Sequence, residues 1–338
     1  MQKILITGFG GFIGYSLVES MKEKFQITAF DNFSELSNYE IKKARVAELG
    51  ITDFDSFKTK RIFQSASATF HYADLCNMAE LEKSFSSNQF DCIVHLAALT
   101  GVRQSLVNPQ AYIDSNVKGF VNLLECAKKF GVKNIIYASS SSVYGLNHET
   151  PYAENQKTDS PISVYAASKK VDELIAHTYA HLYGMNLIGL RFFTVYGPWT
   201  RPDMAAYIFM KAVQDNNPIE LFKEGKMIRD FTYVGDVVKS ITLLIDKMKN
   251  ETASGHEIFN IGNHHPIFTI DFLKTIEDAM GKKASVNFKP VQAGDMLATN
   301  ASCEKLFHYI GYKPQTSVLE GVNEMVKWYK AFTQRVSS

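Results

Sequence analysis

Lys3-Ile4-Leu5-Ile6-Thr7-Gly8-Phe9-Gly10-Gly11-Phe12-Ile13-Gly14 passes from a short apolar run through a glycine-rich turn into a second apolar stretch. That order predicts a strand, a loop and a helix. Three glycines each have a task in such a loop. Gly8 permits the tight turn off the strand, Gly11 lets the backbone approach a pyrophosphate, and Gly14 allows the helix to pack closely on the strand. Phe12 and Ile13 open the helix, whose free N–H groups and dipole favour an anion. A glycine triplet carries little weight alone. Its place after a strand, at the head of a βαβ pattern, makes it a dinucleotide fingerprint.

Outward from this loop, short apolar runs recur at 26–31, 69–74, 92–97 and 134–139, with amphipathic segments between most of them. Runs that are apolar without strict alternation are what strands buried on both faces look like. The series predicts an α/β fold, a Rossmann-type doubly wound parallel sheet. Residues 34–68 are too long for a simple connection; they are expected to be an insertion with a helix near 39–49 and a polar loop. A further strand at 186–193 follows a long helix that begins near Val164. After Pro198, short strands at 218–222, 229–234, 257–262 and 285–290 alternate with helices starting near Asp203, Gly235, Thr269 and Val318. This predicts a smaller mixed α/β C-terminal domain for substrate. The expected division is 1–198 and 199–338, with the chain crossing between domains more than once.

Lys and Arg number 36 against 35 for Asp and Glu, and 46% of the 338 residues are hydrophobic. A balance so near zero argues against nucleic acid or a basic membrane surface as partner. No apolar run is long enough to span a membrane, and the N-terminus lacks the pattern of a signal peptide. Cys76, Cys92, Cys126 and Cys303 form no CxxC pair and read as reduced thiols, so a cytoplasmic protein without a metal is expected.

Asp31 closes the second run. A carboxylate there accepts hydrogen bonds from an adenosine ribose and repels a 2′-phosphate, which favours NAD over NADP. Asn32, Asp74, Leu75, Leu96, Ala97, Ala98, Asn116, Ser139 and Phe192 complete the expected cofactor set. Farther on, Tyr165 and Lys169 stand four apart and so share one helix face. A lysine charge favours the phenolate of a nearby tyrosine. Tyr165 can then take a proton from a sugar hydroxyl as hydride leaves the same carbon, while Lys169 also holds the nicotinamide ribose. Upstream, Ser139-Ser140-Ser141-Ser142-Val143-Tyr144-Gly145 follows a strand at its carboxyl end, where open α/β sheets bind ligands.

The glycine loop, HLAA at 95–98, SSSSVYG, YxxxK and RDFTYVGD at 229–236 together resemble the extended short-chain dehydrogenase/reductases that act on nucleotide sugars. The likeness spans nearly the whole chain. Within that family, GVRQSLVNP (101–109), FTVYGPWTRPDMA (193–205) and QAGDM (292–296) are most similar to the UDP-glucuronate 4-epimerase group. The resemblance implies that Ser140 assists Tyr165, that Arg229 and Asp295 hold the diphosphate and uridine ribose, and that two subunits pair through helices near 109–130 and 164–183. Sequence and family differ at Phe192-Phe193, Trp199 and Gln292.

The family runs several reactions from one 4-keto intermediate. Dehydratases place an Asp-Glu pair where this chain has Ser141 and Ser142, and decarboxylases carry a Glu at the position of Ser142. Neither serine can act as a carboxylic acid, so epimerisation of UDP-glucuronate to UDP-galacturonate is the expected reaction. Arg201 can bind a sugar carboxylate with paired hydrogen bonds, with Ser141, Ser142 and Thr194 completing the pocket and Arg103 as a further contact. Epimerisation of UDP-glucose, UDP-N-acetylglucosamine or an N-acetylated uronate, UDP-glucuronate decarboxylation, and an NAD-sensing scaffold without catalysis are the alternatives.

Overall fold

The computed structural model describes residues 1–34, 36, 39–250, 254–290 and 296–337. The first apolar run is strand β1 (Lys3–Thr7), and Ile4, Leu5 and Ile6 in it are wholly buried. With it run β2 (Gln26–Asp31), β3 (Ile62–Gln64), β4 (Ala68–Tyr72), β5 (Cys92–His95), β6 (Asn134–Ser140) and β7 (Asn186–Phe192). These seven and the strand Gly255–Ile261 form one eight-stranded sheet. Its order is Gly255–Ile261, β7, β6, β5, β1, β2, β4, β3. β1 pairs in parallel with β2 on one side and β5 on the other, so the winding reverses at β1. The loops after β1 and β5 therefore flank a topological switch point, the place where such sheets bind ligands. The α/β Rossmann-type fold expected from the sequence is the fold observed.

The insertion carries more order than its polarity suggested. It holds the helices Tyr39–Glu48 and Phe54–Lys60, then β3, antiparallel to β4 at the sheet edge. Phe33, Phe54, Phe57 and Tyr72 meet there, largely edge to face, and Phe9 of the glycine loop joins them. Aromatic contacts of this kind are worth roughly 1 kcal/mol each beyond the area they bury, enough to order an otherwise polar segment.

The chain divides into two units, Met1–Asn147 with Lys157–Arg191 and Ile241–Phe259, and His148–Gln156 with Phe192–Ser240 and Asn260–Ser338. The sequence expectation was a division at 198 with the chain crossing between domains more than once; the chain changes unit after 147, 156, 191, 240 and 259. One strand assigned by its position to the smaller domain, 257–262, belongs to Gly255–Ile261 on the edge of the large sheet. Local apolar pattern says that a segment is a strand, not which sheet it joins. In the second unit, Thr194–Tyr196 pairs with Phe231–Tyr233, and Ile219–Phe222 with Val286–Lys289, both in parallel. Helices Ala205–Asp215, Thr269–Met280 and Val318–Ser337 belong to the same unit, and Phe231 stacks on Phe272 with centroids 3.8 Å apart in its core. No helix among the described residues is long and apolar enough to cross a membrane.

Candidate active site

The glycine loop is held closed by its own backbone. Gly8 N–H donates to Phe30 O at 2.6 Å, Gly11 N–H donates to Gly8 O at 2.9 Å, and Gly8 lies at φ +82°. A Cβ on Gly14 would lie 2.1 Å from Gly8 O, and one on Gly8 2.7 Å from Ala97 N. These are backbone atoms that cannot step aside. The helix Phe12–Met21 starts with Gly11 as N-cap and no side chain capping it. Its first N–H groups are thus left for an external acceptor. Cradle and helix end fit a dinucleotide pyrophosphate.

At the end of β2, Asp31 is buried. It accepts from Gly10 N–H at 3.0 Å and Phe33 N–H at 2.7 Å, and pairs with Lys42 Nζ at 3.3 Å. Asn32 donates to Asp74, whose other oxygen accepts from Cys76 N–H. Leu75 is buried, and its carbonyl accepts from Asn122. Sequence reasoning passed over Lys42 and Arg45, which lie in the supposed insertion. Arg45 is buried too and donates to Gly10 O at 2.8 Å. The available signal was two cations three residues apart on a predicted helix next to an acid-ended strand.

The sequence-predicted pair lies on the helix Val164–Tyr183, which Ser163 caps by accepting from Ala166 N–H. Tyr165 is half-buried, with its ring edge-on to Tyr112 at 6.2 Å. Lys169 is buried, its Nζ 3.1 Å from Asp172, and both side chains are 1% exposed. Burial pushes the Asp172 carboxyl up to about 6, against the pull of Lys169. Asp172, which the sequence did not flag, is the acid beside the lysine. Ser168 donates to Tyr165 O and accepts from Asn116 Nδ2 at 3.0 Å. Asn116 also bonds both ways with the Leu99 backbone. It sits in the π-helical turn Ile113–Lys118, inside what the sequence predicted as one regular helix over 109–130. The wider turn carries Asn116, which ties the loop after β5 to the Tyr165 helix.

Ser140 caps the turn Ser141–Tyr144, its Oγ accepting from Ser142 N–H. Ser139 turns the other way and donates to Glu173 at 2.7 Å. Glu173 also takes a two-bond fork from Arg191, at 2.8 and 2.9 Å. Burial alone would raise the Glu173 carboxyl, but the Arg191 fork and Ser139 outweigh it and hold it below its usual value. Arg191 lies over the Tyr144 ring. The serine turn is thereby pinned to the helix that carries Tyr165. Breaking one side of such a buried pair typically costs about 3–5 kcal/mol. Arg103 is exposed on the helix Val102–Val107, which packs on the Tyr165 helix.

In the second unit, Thr194 opens the strand paired with Phe231–Tyr233, and Phe192 is buried. Arg229 donates to the carbonyl of Ile228. Arg201 forms a two-bond pair with Asp203. Trp199, with φ +66°, packs against Trp328 and Phe332 of the C-terminal helix. Within RDFTYVGD the acids are structural knots. Buried Asp230 accepts the N–H groups of Asn263, His264 and Ala301, and Asp236 accepts from Tyr312, Gln315 and Thr316. Asp295 and Gln292 lie outside the described residues.

Comparison with known proteins identifies the family. The family described as NAD dependent epimerase/dehydratase matches residues 4–262. Protein CapI of Staphylococcus aureus is 41% identical, over 99% of this chain and 100% of that protein. UDP-glucuronate 4-epimerase 4 of Arabidopsis thaliana is 38% identical, over 97% of this chain and 75% of that protein. Among solved structures, the UDP-glucuronic acid 4-epimerase of Bacillus cereus in complex with UDP-glucuronic acid and NAD superposes with a TM-score of 0.87. It is 28% identical, covering 98% of this chain and 100% of that one.

Proposed function

The chain belongs to the NAD-dependent epimerase/dehydratase family, and on that premise we propose that it is a nucleotide-sugar 4-epimerase converting UDP-glucuronate to UDP-galacturonate. The observation that carries the reading is the Tyr165–Lys169 helix fixed beside a serine turn with no carboxylic acid at Ser141 or Ser142. NAD held by the glycine loop would supply the acceptor, and then the donor, for the hydrogen and electron pair at C4 of the sugar. Tyr165 accepts the 4-hydroxyl proton and later returns it, with Ser140 sharing that proton. Gly8, Gly11 and Gly14 hold the pyrophosphate, and Asp31 the adenosine ribose. Asp74, Leu75, Leu96, Ala97, Ala98, Asn116, Ser139 and Phe192 surround the remainder of the cofactor. Arg229 and Asp295 hold the UDP portion.

Arg201 is assigned the uronate carboxylate, and Ser141, Ser142, Thr194 and Arg103 are assigned to the substrate as well. The Arg201 fork is engaged by Asp203, whose side chain is 46% exposed. A part-exposed pair of this kind is worth about 1 kcal/mol or less, little enough for a substrate carboxylate to displace it. Holding that carboxylate out of the perpendicular geometry that favours loss of CO2 protects the 4-keto acid. Arg201→Met is expected to weaken UDP-glucuronate binding by about tenfold or more while UDP binding changes little. Calorimetry that finds equal losses for both would remove Arg201 from the substrate site.

The reading as a whole is tested by supplying UDP-glucuronate without added NAD and following products by NMR. UDP-galacturonate is expected. UDP-xylose or a 4-keto pentose would mean decarboxylation, and turnover of neutral UDP-sugars alone would shift the specificity. A cytoplasmic homodimer is part of the same reading. The four cysteines are unpaired thiols, three of them buried, as suits a reducing compartment. Leu106, Val107, Ile113, Val171 and Leu174 are exposed on helices that pack together along the Tyr165 helix, as suits a subunit contact.

A further inference from the structure

The helix Val164–Tyr183 carries a third polar group on its reacting face. Tyr165, Lys169, Asp172 and Ala176 are spaced four, three and four apart, so they line one side of the helix. Below Tyr165 that side is closed to water. The side chains of Lys169 and Asp172 are each 1% exposed, and Ala176 is wholly buried. Lys169 Nζ donates to Asp172 Oδ2 at 3.1 Å. Asp172 Oδ1 is buried too and has no hydrogen-bond partner. Neighbouring groups do not share the task of matching the lysine. Glu173 is met by Arg191, Lys170 and the Ser139 hydroxyl. His95 is held neutral by burial and then by the Lys169 charge, and supplies no anion.

An ammonium out of water is costly unless an anion meets it. The lysine stem is flexible, so nothing in the stem fixes where its ammonium sits. A pair placed here for stability alone would be a poor device. A buried carboxylate oxygen without a donor weakens the fold, and apolar side chains of the same volume commonly do as well as a buried pair or better. We infer that Asp172 is a positioning residue for the reaction, which fixes the Lys169 ammonium one helical turn from Tyr165 through a single carboxylate oxygen. The inference rests on the reading of Tyr165 and Lys169 as the reacting pair.

The test is a double-mutant cycle between the two residues. Wild type, Asp172→Asn, Lys169→Met and the double variant are assayed on the UDP-sugar that wild type turns over, at enzyme concentrations high enough to follow slow turnover. Retained NAD is acid-released and quantified, and kcat is expressed per retained NAD. Asp172→Asn alone should lower kcat by about tenfold or more, with KM and retained NAD changed by less than about twofold. In the Lys169→Met background the same substitution should change kcat by less than about twofold, because the group it acts through is gone. An equal loss in both backgrounds would mean that Asp172 acts through the fold alone, and overturns the inference. Full kcat in Asp172→Asn, or a loss that falls on KM instead, overturns it as well. Should Asp172→Asn not fold, Asp172→Glu, which keeps the charge and moves it by one methylene, takes its place in the cycle under the same criteria. Full kcat in Lys169→Met overturns the reading of the reacting pair and the inference with it.

Discussion

His95 ends β5 with its imidazole out of water, Nδ1 2.8 Å from Thr7 Oγ1 and the ring stacked on Phe120. Burial first, and then the Lys169 charge, push its pKa down from 6.5 to about 3. Between those values the unfolded chain binds a proton that the folded chain does not. Stability is therefore fully present above about pH 6.5 and is lost as pH falls toward 3, by on the order of 1 kcal/mol per pH unit from this residue alone. His95→Gln should flatten the fall of the urea midpoint between pH 6 and 4. An unchanged slope in the variant would contradict this placement of the acid sensitivity. At the same scale, Tyr165 and Lys169 were legible in the sequence because their four-residue spacing is set by the helix itself. Asp172 was not, although it touches Lys169. Helical spacing offers many charged neighbours, and only burial shows which pair is out of water.

Two jobs are proposed for the helix Val164–Tyr183, one for each of its faces. One face buries Ser168, Lys169, Asp172 and Glu173 toward the serine turn and the π-helical turn at Asn116. The other exposes Val171 and Leu174. On the proposed dimer, Leu174→Glu places a charge in the contact and should convert the protein to a monomer by light scattering, with the thermal midpoint of the isolated subunit little changed. A variant that stays dimeric would remove this face from the contact. Elements set by local pattern were legible: β1 and its glycine loop, the helix at Tyr39–Glu48 and the helix carrying Tyr165. Elements defined by a distant partner were not. β3 is three residues on a sheet edge, too short to show a period, and Gly255–Ile261 reads as a strand without revealing its sheet. Nor could the sequence show that Asp230 and Asp236, inside a motif that looked like ligand chemistry, serve to tie backbone loops together.

Across the whole molecule, one unit contains the glycine loop, Asp31, Ser140, Tyr165 and Lys169, and the other contains Thr194, Arg201 and Arg229. The shared oxidation step is assigned to the first, on the spacing of Tyr165 and Lys169. Choice of sugar is assigned in part to the second, through Thr194 and Arg201. The central claim is that both faces of one C4 ketone are served by the same hydrogen, without decarboxylation. It is tested most directly by supplying UDP-glucuronate deuterated at C4, with no added NAD, and examining the product by NMR and mass spectrometry. The account predicts UDP-galacturonate that retains deuterium at C4. Loss of that deuterium to solvent, or release of CO2 with a pentose product, would contradict it.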